Sequence, residues 1–242
     1  MEKWGTAARD VVALDLETTG LDSKTERILE IGAVRIRDGR EEASFSRLIN
    51  PGREIPDAVR ELTGITGEMT AACPPVEEVL PEFLEFCGEL PILGHNVLFD
   101  YRFLKRAAVN QGFSFERKGF DTLALCRKFM PEEEKKNLAA ACRYYGVEAG
   151  TSHRALDDAR AALDLYGRLA ALYGEEKPEA FAPSPLIYKV KKDPPASKRQ
   201  KEVLRDLLKY HKITLSAQMD GLGRSEIARI TDRIISKYGR IL

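Results

Sequence analysis

The stretch V-V-A-L-D-L-E-T-T-G, residues 11–20, decides the reading of this chain. Its first six residues are apolar or β-branched apart from one acid, and T-T-G closes it, so it reads as a strand running into a turn. Strand side chains two apart share a face. Asp15 and Glu17 therefore point the same way as Val11 and Ala13, while Val12, Leu14 and Leu16 point the other way. Residues on both faces are apolar, which marks a central strand. Two acids on one face of such a strand are costly to bury without cations. That makes Asp15 and Glu17 candidate metal ligands.

Working outward, Arg27 to Ile36 reads as a second strand, D-G-R at 38–40 as a hairpin turn, and Ala43 to Ile49 as a third strand stopped by N-P-G. Three strands joined by short turns predict an antiparallel meander. Apolar residues from Pro75 to Cys87 recur at helical spacing. Ile92–Leu93 reads as a short buried strand, Asp100 to Gln111 as a helix, and Phe120 to Leu123 as strand passing into helix. Asn137 to Tyr145 is a helix closed by Gly146. Ala155 to Tyr173 is the longest periodic helix, with Leu156, Ala159, Leu163, Tyr166 and Leu169 inward.

Two further segments carry chemistry. Asp100 ends G-H-N-V-L-F-D, and His153 and Asp158 lie in H-R-A-L-D-D-A. Asp158, on the long helix, can point back at a sheet. His153 is five residues earlier, off that helix face and at or before the helix start, with Thr151 or Ser152 as N-cap. Taken alone, His153 would more often be a surface or packing histidine. Carboxylates from three segments can hold two Mg²⁺ or Mn²⁺ ions, and a histidine beside them can take a proton from water.

Composition sets wider limits. The 242 residues suffice for one α/β domain and a small appendage, and 43% hydrophobic residues supply a sizeable core. No apolar run reaches the length of a membrane span, and M-E-K-W-G-T-A-A-R-D has no apolar signal core. The cysteines Cys73, Cys87, Cys126 and Cys142 make no C-x-x-C pair, which argues against zinc and for reduced thiols in a cytoplasmic protein. Net charge is zero but uneven. Residues 186–242 hold 14 Lys+Arg and 6 Asp+Glu, or +8, which leaves −8 on the remainder. A basic appendage on an acidic domain can hold a polyanion; equally, its charge can serve only to keep a small helical unit in solution.

The three segments together resemble the Exo I, Exo II and Exo III motifs of the DEDDh exonucleases, the family of the proofreading epsilon subunit of bacterial DNA polymerase III. D-L-E-T-T-G, H-N-V-L-F-D and H-R-A-L-D-D-A fall in the family order over roughly residues 9–173, and His153, in place of Tyr, selects the DEDDh branch over DEDDy. The resemblance implies an α/β, RNase H-like exonuclease fold: a mixed five-stranded sheet flanked by helices, its first three strands antiparallel. It implies a 3′→5′ exodeoxyribonuclease with two Mg²⁺ or Mn²⁺ ions that releases nucleoside 5′-monophosphates in proofreading or repair. Asp15 would bridge both ions, Glu17 and Asp158 would complete the shell of the one that binds the attacking water, Asp100 would serve the second, and His153 would be the general base. Spacing makes Asp158 the ligand and its neighbour Asp157 the decoy. Thr18 matches the position that contacts the terminal nucleotide. Leu62-Thr63-Gly64-Ile65 matches a loop whose apolar residue stacks on the terminal base. His95 and Asn96 sit beside Asp100 as substrate-side residues, Asn96 bracing the turn. The implied partners are a single-stranded or frayed DNA 3′ end and a DNA polymerase, with no membrane. RNA trimming is one alternative, since no residue excludes a 2′-hydroxyl. A non-catalytic nucleic-acid-binding or polymerase-docking protein is another.

The expected domains are residues 1–174 for the exonuclease unit, 175–197 for a proline-rich linker, and 198–242 for a small helical domain. Within the linker, L-I-Y-K-V at 186–190 is a candidate docking strand. In the helical part, Val203, Leu204, Leu207 and Leu208 form one stripe and Ile227, Ile230, Ile234 and Ile235 another, with Ser225 as the N-cap of the second. Lys198, Arg199, Lys201, Arg224 and Arg229 could touch phosphates, or the unit could dock a protein.

Overall fold

The computed structural model describes residues 8–150, 154–214, 219 and 222–241. Its centre is a six-stranded sheet in the order β3-β2-β1-β4-β5-β6. The strands are β1 (Val11–Thr18), β2 (Ile28–Arg37), β3 (Arg40–Leu48), β4 (Ile92–Gly94), β5 (Lys118–Asp121) and β6 (Ser184–Pro185). The first three are antiparallel, as the short turns predict; β4 runs parallel to β1, β5 parallel to β4, and β6 antiparallel to β5. The expected mixed sheet with flanking helices is therefore present, with one strand more than expected. That strand is only two residues long and lies in the stretch read as linker.

The period-two pattern of β1 divides the core into two layers. Val11 and Ala13 join Val34, Ile36, Leu93 and Phe120 under α5 (Thr122–Phe129), α6 (Leu138–Tyr145) and α7 (Ala155–Tyr173). Val12, Leu14 and Leu16 join Ile31, Ala33, Phe45 and Ile92 under α3 (Val76–Cys87) and α4 (Val97–Gln111). Burial of large apolar side chains at roughly 25 cal/mol per Å² is the chief stabilising term for such layers. Two short helices, α1 (Asp57–Thr63) and α2 (Gly67–Ala71), occupy a segment without a predicted element. Leu62 and Thr63 accordingly end a helix instead of lying in a loop, and Gly64, at φ 70°, takes the left-handed C-cap that ends it.

The chain after α7 returns to the sheet. Leu186 N–H donates to the Arg117 carbonyl (2.9 Å) beyond β6, and Leu186 and Tyr188 pack on the α3/α4 layer. The helices α8 (Lys198–Tyr210) and α9 (Arg224–Tyr238) enclose a small core of Leu204, Leu207, Leu208, Leu222, Ile227 and Ile234. Val203, expected in that stripe, is 44% exposed. Ser197 and Gln200 form a capping box at the start of α8. Gly223, not Ser225, is the N-cap of α9; the Ser225 hydroxyl donates to Asp193 Oδ1 (2.8 Å), outside its helix. Among the described residues, no helix is long and apolar enough to cross a membrane.

Candidate active site

The strand β1 outruns its parallel neighbour. It pairs with β4 only at Val12–Ile92 and Ala13–Leu93, while pairing with β2 continues to Thr18. The edge of β1 beyond Ala13 is thus open on the β4 side. The Val12 N–H faces that side, bonded to the Pro91 carbonyl (3.0 Å), so by alternation the Leu16 N–H does too. No strand remains to accept it. Asp100, in the first turn of α4 and 2% exposed, accepts it through Oδ1 at 3.1 Å. The helix starts at Val97, three residues before the predicted Asp100, because Asn96 takes a left-handed conformation (φ 70°, ψ 45°) that turns the chain from β4 into α4. The Asn96 N–H donates to Asp121 Oδ1 (3.0 Å), which also caps α5 through Leu123 N–H and Ala124 N–H. Asn96 thus braces the turn through its backbone.

Asp15 and Glu17 lie on the α7 face of β1. Asp158, in the first turn of α7, meets them: the three carboxylates offer oxygens that all lie within 4.8 Å of one another. Asp100 stands outside that trio but acts on it electrostatically. Burial, then the charges of Asp100, Glu17, Asp158 and Glu30, hold the Asp15 carboxyl well above its usual range. Asp100 is raised as well, chiefly by burial, against the opposing pull of its own and Leu16 N–H. Burial first, then Asp158 and Glu30, push Glu17 up from 4.5 to about 7, with Arg154 pulling it back. Such a group of acids is short of positive charge, and divalent cations are the natural complement. The donor set, carboxylate oxygens only, suits Mg²⁺ or Mn²⁺. His153, with the N-cap candidates Thr151 and Ser152, lies outside the described residues. The N-cap of α7 is Arg154, which makes no side-chain cap bond.

The substrate-side candidates differ in what they show. The Thr18 hydroxyl donates to the Gly20 carbonyl (2.8 Å) and tightens T-T-G. Thr19 fixes the same turn: its hydroxyl donates to Glu26 Oε2 (2.7 Å) and accepts from Arg27 N–H (2.9 Å). Leu62 is 56% exposed at the end of α1, whereas Ile65 is fully buried with Leu29 and Ile55. His95 has both ring nitrogens engaged within the protein. Nε2 lies 2.7 Å from the Lys136 carbonyl, which can only accept, so Nε2 carries a proton; Nδ1 lies 2.9 Å from the Thr122 hydroxyl, which also reaches the Gly94 carbonyl at 3.3 Å. Burial lowers its pKa. His95 is therefore a brace that ties the end of β4 to α5 and to the chain before α6, and its hydrogen bonds do not support contact with substrate.

Two site residues were missed in the sequence. Glu30, directly across β1–β2 from Glu17, is a buried acid, and its side chain is paired with Arg154 (Oε1 to Nη2, 3.0 Å). The signal was present: Glu30 interrupts the apolar run I-L-E-I-G-A-V just as Asp15 and Glu17 interrupt theirs.

A mixed sheet whose central strand presents two carboxylates to a third on a helix packed against it is the arrangement expected of an RNase H-like exonuclease. The chain belongs to the exonuclease family, whose RNase_T profile matches residues 12–166. It is 38% identical over 156 residues to DNA polymerase III subunit epsilon of Aquifex aeolicus, which covers 64% of this chain and 77% of that one. It is 42% identical over 162 residues to the PolC-type DNA polymerase III of Thermotoga petrophila, over 66% of this chain but only 12% of that much longer one. Among solved structures, exonuclease X in complex with 5′ overhanging duplex DNA matches at TM-score 0.56 and 26% identity, over 71% of this chain and 99% of that one. Escherichia coli exonuclease I in complex with a dT13 oligonucleotide shares the fold at TM-score 0.60 and 18% identity, over 71% of this chain and 42% of that one.

Proposed function

We propose that the protein is a metal-dependent 3′→5′ exodeoxyribonuclease that removes nucleoside 5′-monophosphates in DNA proofreading or repair. The observation that carries the reading is the meeting of Asp15, Glu17 and Asp158 within 4.8 Å, in a chain of the exonuclease family. DNA is favoured over RNA by the epsilon and PolC-type relatives and by the DNA-bound structural neighbours.

Asp15, Glu17 and Asp158 would hold one divalent cation, and Asp15 with Asp100 a second. When bound, two Mg²⁺ or Mn²⁺ ions supply positive charge for the attacking and leaving oxygens of the scissile phosphodiester. Asp100 also fixes β1 through the Leu16 N–H, so it holds the strand that carries two of its fellow ligands. His153, next to Arg154 in the chain, is the proposed general base that takes the proton of the attacking water. Thr18 and the exposed Leu62 are the proposed contacts to the terminal nucleotide. A DNA polymerase is the proposed partner.

The test is a gel assay with 5′-labelled single-stranded DNA and RNA of equal sequence, in Mn²⁺, in Mg²⁺ and in chelator, beside the Asp15→Ala variant. A metal-dependent ladder that shortens DNA from its 3′ end and is absent in the variant is the expected result. Cleavage of RNA alone would reassign the substrate. Cleavage that survives in Asp15→Ala would refute the site.

A further inference from the structure

Asp158 reaches β1 only if the start of α7 lies in one place. Two residues of β2 determine that place. Gly32 pairs with Asp15 and Glu30 with Glu17, so both stand directly opposite the proposed ligands, two apart and on one face. At Gly32 the backbone of α7 lies so close that a Cβ would stand 2.0 Å from Leu156 N and 2.1 Å from the Ala155 carbonyl carbon. The helix therefore rests on bare strand backbone. At Glu30 the buried carboxylate receives three donors from that same turn. Arg154 Nη2 reaches Oε1 at 3.0 Å, Arg154 Nε reaches Oε2 at 3.4 Å, and the Ala155 N–H reaches Oε2 at 3.2 Å. That last N–H is one of the orphan donors of a helix start, where a negative charge is favourable. Arg154 also offsets the repulsion expected of two acids paired across strands, Glu17 and Glu30.

We propose that Glu30 and Gly32 form a seat for the first turn of α7, with Arg154 as its clasp, and that this seat positions Asp158 against Asp15 and Glu17. Glu30 is a positioning residue; it reaches the reacting atoms through Asp158. The role rests on the nuclease reading above. Neighbours that orient metal ligands commonly contribute 10–100-fold in metal affinity or activity.

The test compares Glu30→Gln, which keeps the side-chain shape and an acceptor for Ala155, with wild type and with Arg154→Lys, which keeps the charge but not the fork. Four readouts are needed: thermal stability, kcat and KM on a single-stranded oligonucleotide, the midpoint of Mn²⁺ binding, and hydrogen exchange of the amides at residues 155–158. The expected result is faster exchange at those amides, a raised Mn²⁺ midpoint, and kcat lower by about 10–100-fold with KM within about twofold. Arg154→Lys should fall between the two. Wild-type kcat and Mn²⁺ midpoint in a folded Glu30→Gln protein would overturn the proposal. So would losses in kcat and KM that merely follow a fall in thermal stability. If the wild type binds Mn²⁺ but cleaves neither DNA nor RNA, the nuclease reading fails by itself; a raised Mn²⁺ midpoint in Glu30→Gln then still supports the seat, and an unchanged one overturns it.

Discussion

Glu17→Gln should make the metal-free protein more stable, increasingly so as pH rises from the ordinary carboxylate range to neutral. Burial and the charges of Asp158 and Glu30 push the Glu17 carboxyl from 4.5 up to about 7. Between those values the unfolded chain releases this proton while the folded one keeps it, so stability falls as pH rises through that window. Above it, the ionised carboxylate costs the fold about 3 kcal/mol at most, at roughly 1.4 kcal/mol for each pH unit. Screening by water at a partly exposed site brings this nearer ~2 kcal/mol. Glutamine never ionises and avoids that cost. In chelator at pH 8, Glu17→Gln should therefore melt about 4–8 °C above wild type, and at pH 5 the two should nearly coincide. Saturating Mn²⁺ should reverse the order, because the wild type gains binding free energy that the variant has lost. Scanning calorimetry at the two pH values, with and without Mn²⁺, gives all four comparisons. A variant that melts below wild type in chelator at pH 8 would refute the claim that Glu17 is an acid short of positive charge.

His95→Ala should cost on the order of 2–3 kcal/mol, since it leaves the Lys136 carbonyl and Thr122 hydroxyl without their ring partners. Oligonucleotide affinity of the folded variant, measured by fluorescence anisotropy, should stay within about threefold; a collapse in affinity at unchanged stability would return His95 to the substrate side. Gly32→Ala should destabilise by on the order of 3 kcal/mol, because β2 or α7 must move to admit a methyl group that starts 2.0 Å from Leu156 N; a wild-type melting curve would contradict that packing. A chain ended after Lys192 keeps Leu186, Tyr188 and the Tyr188–Ser23 hydroxyl contact (3.1 Å), whereas one ended after Pro185 loses them. The shorter chain should therefore melt about 10 °C lower than the longer, for roughly 2–4 kcal/mol of lost burial. If α8 and α9 touch phosphates, both truncations should also flatten the salt dependence of DNA binding relative to the full chain.

What could be read from the sequence follows from how much local pattern each feature carries. The meander and the long helices were legible because their apolar periods run over many residues. The acids Asp15 and Glu17 were legible because two charges on one face of a central strand contradict the rest of that strand. Glu30 poses the same contradiction singly, and a single acid in a strand is also what a sheet edge or an ion pair produces. Its partner, Arg154, lies 124 positions away in the chain, and only the fold brings the two together. Separation also hides the contact of Asp100 with Leu16, 84 positions away: nothing local says that the Asp100 carboxylate takes the place of a strand that stops at Gly94. The features missed outright are those with the least local signal. The helix α1 has seven residues, and β6 has two, one of them a proline with no N–H to offer the ladder. The turn at Asn96 depends on a left-handed residue that is not glycine, so the start of α4 was placed a turn late. In each case the missing information is tertiary. The proposed ligands can be picked out one by one in the chain, but what holds them in register is made by contacts between distant segments: Glu30 on the start of α7, Asp100 on Leu16, and His95 on Lys136.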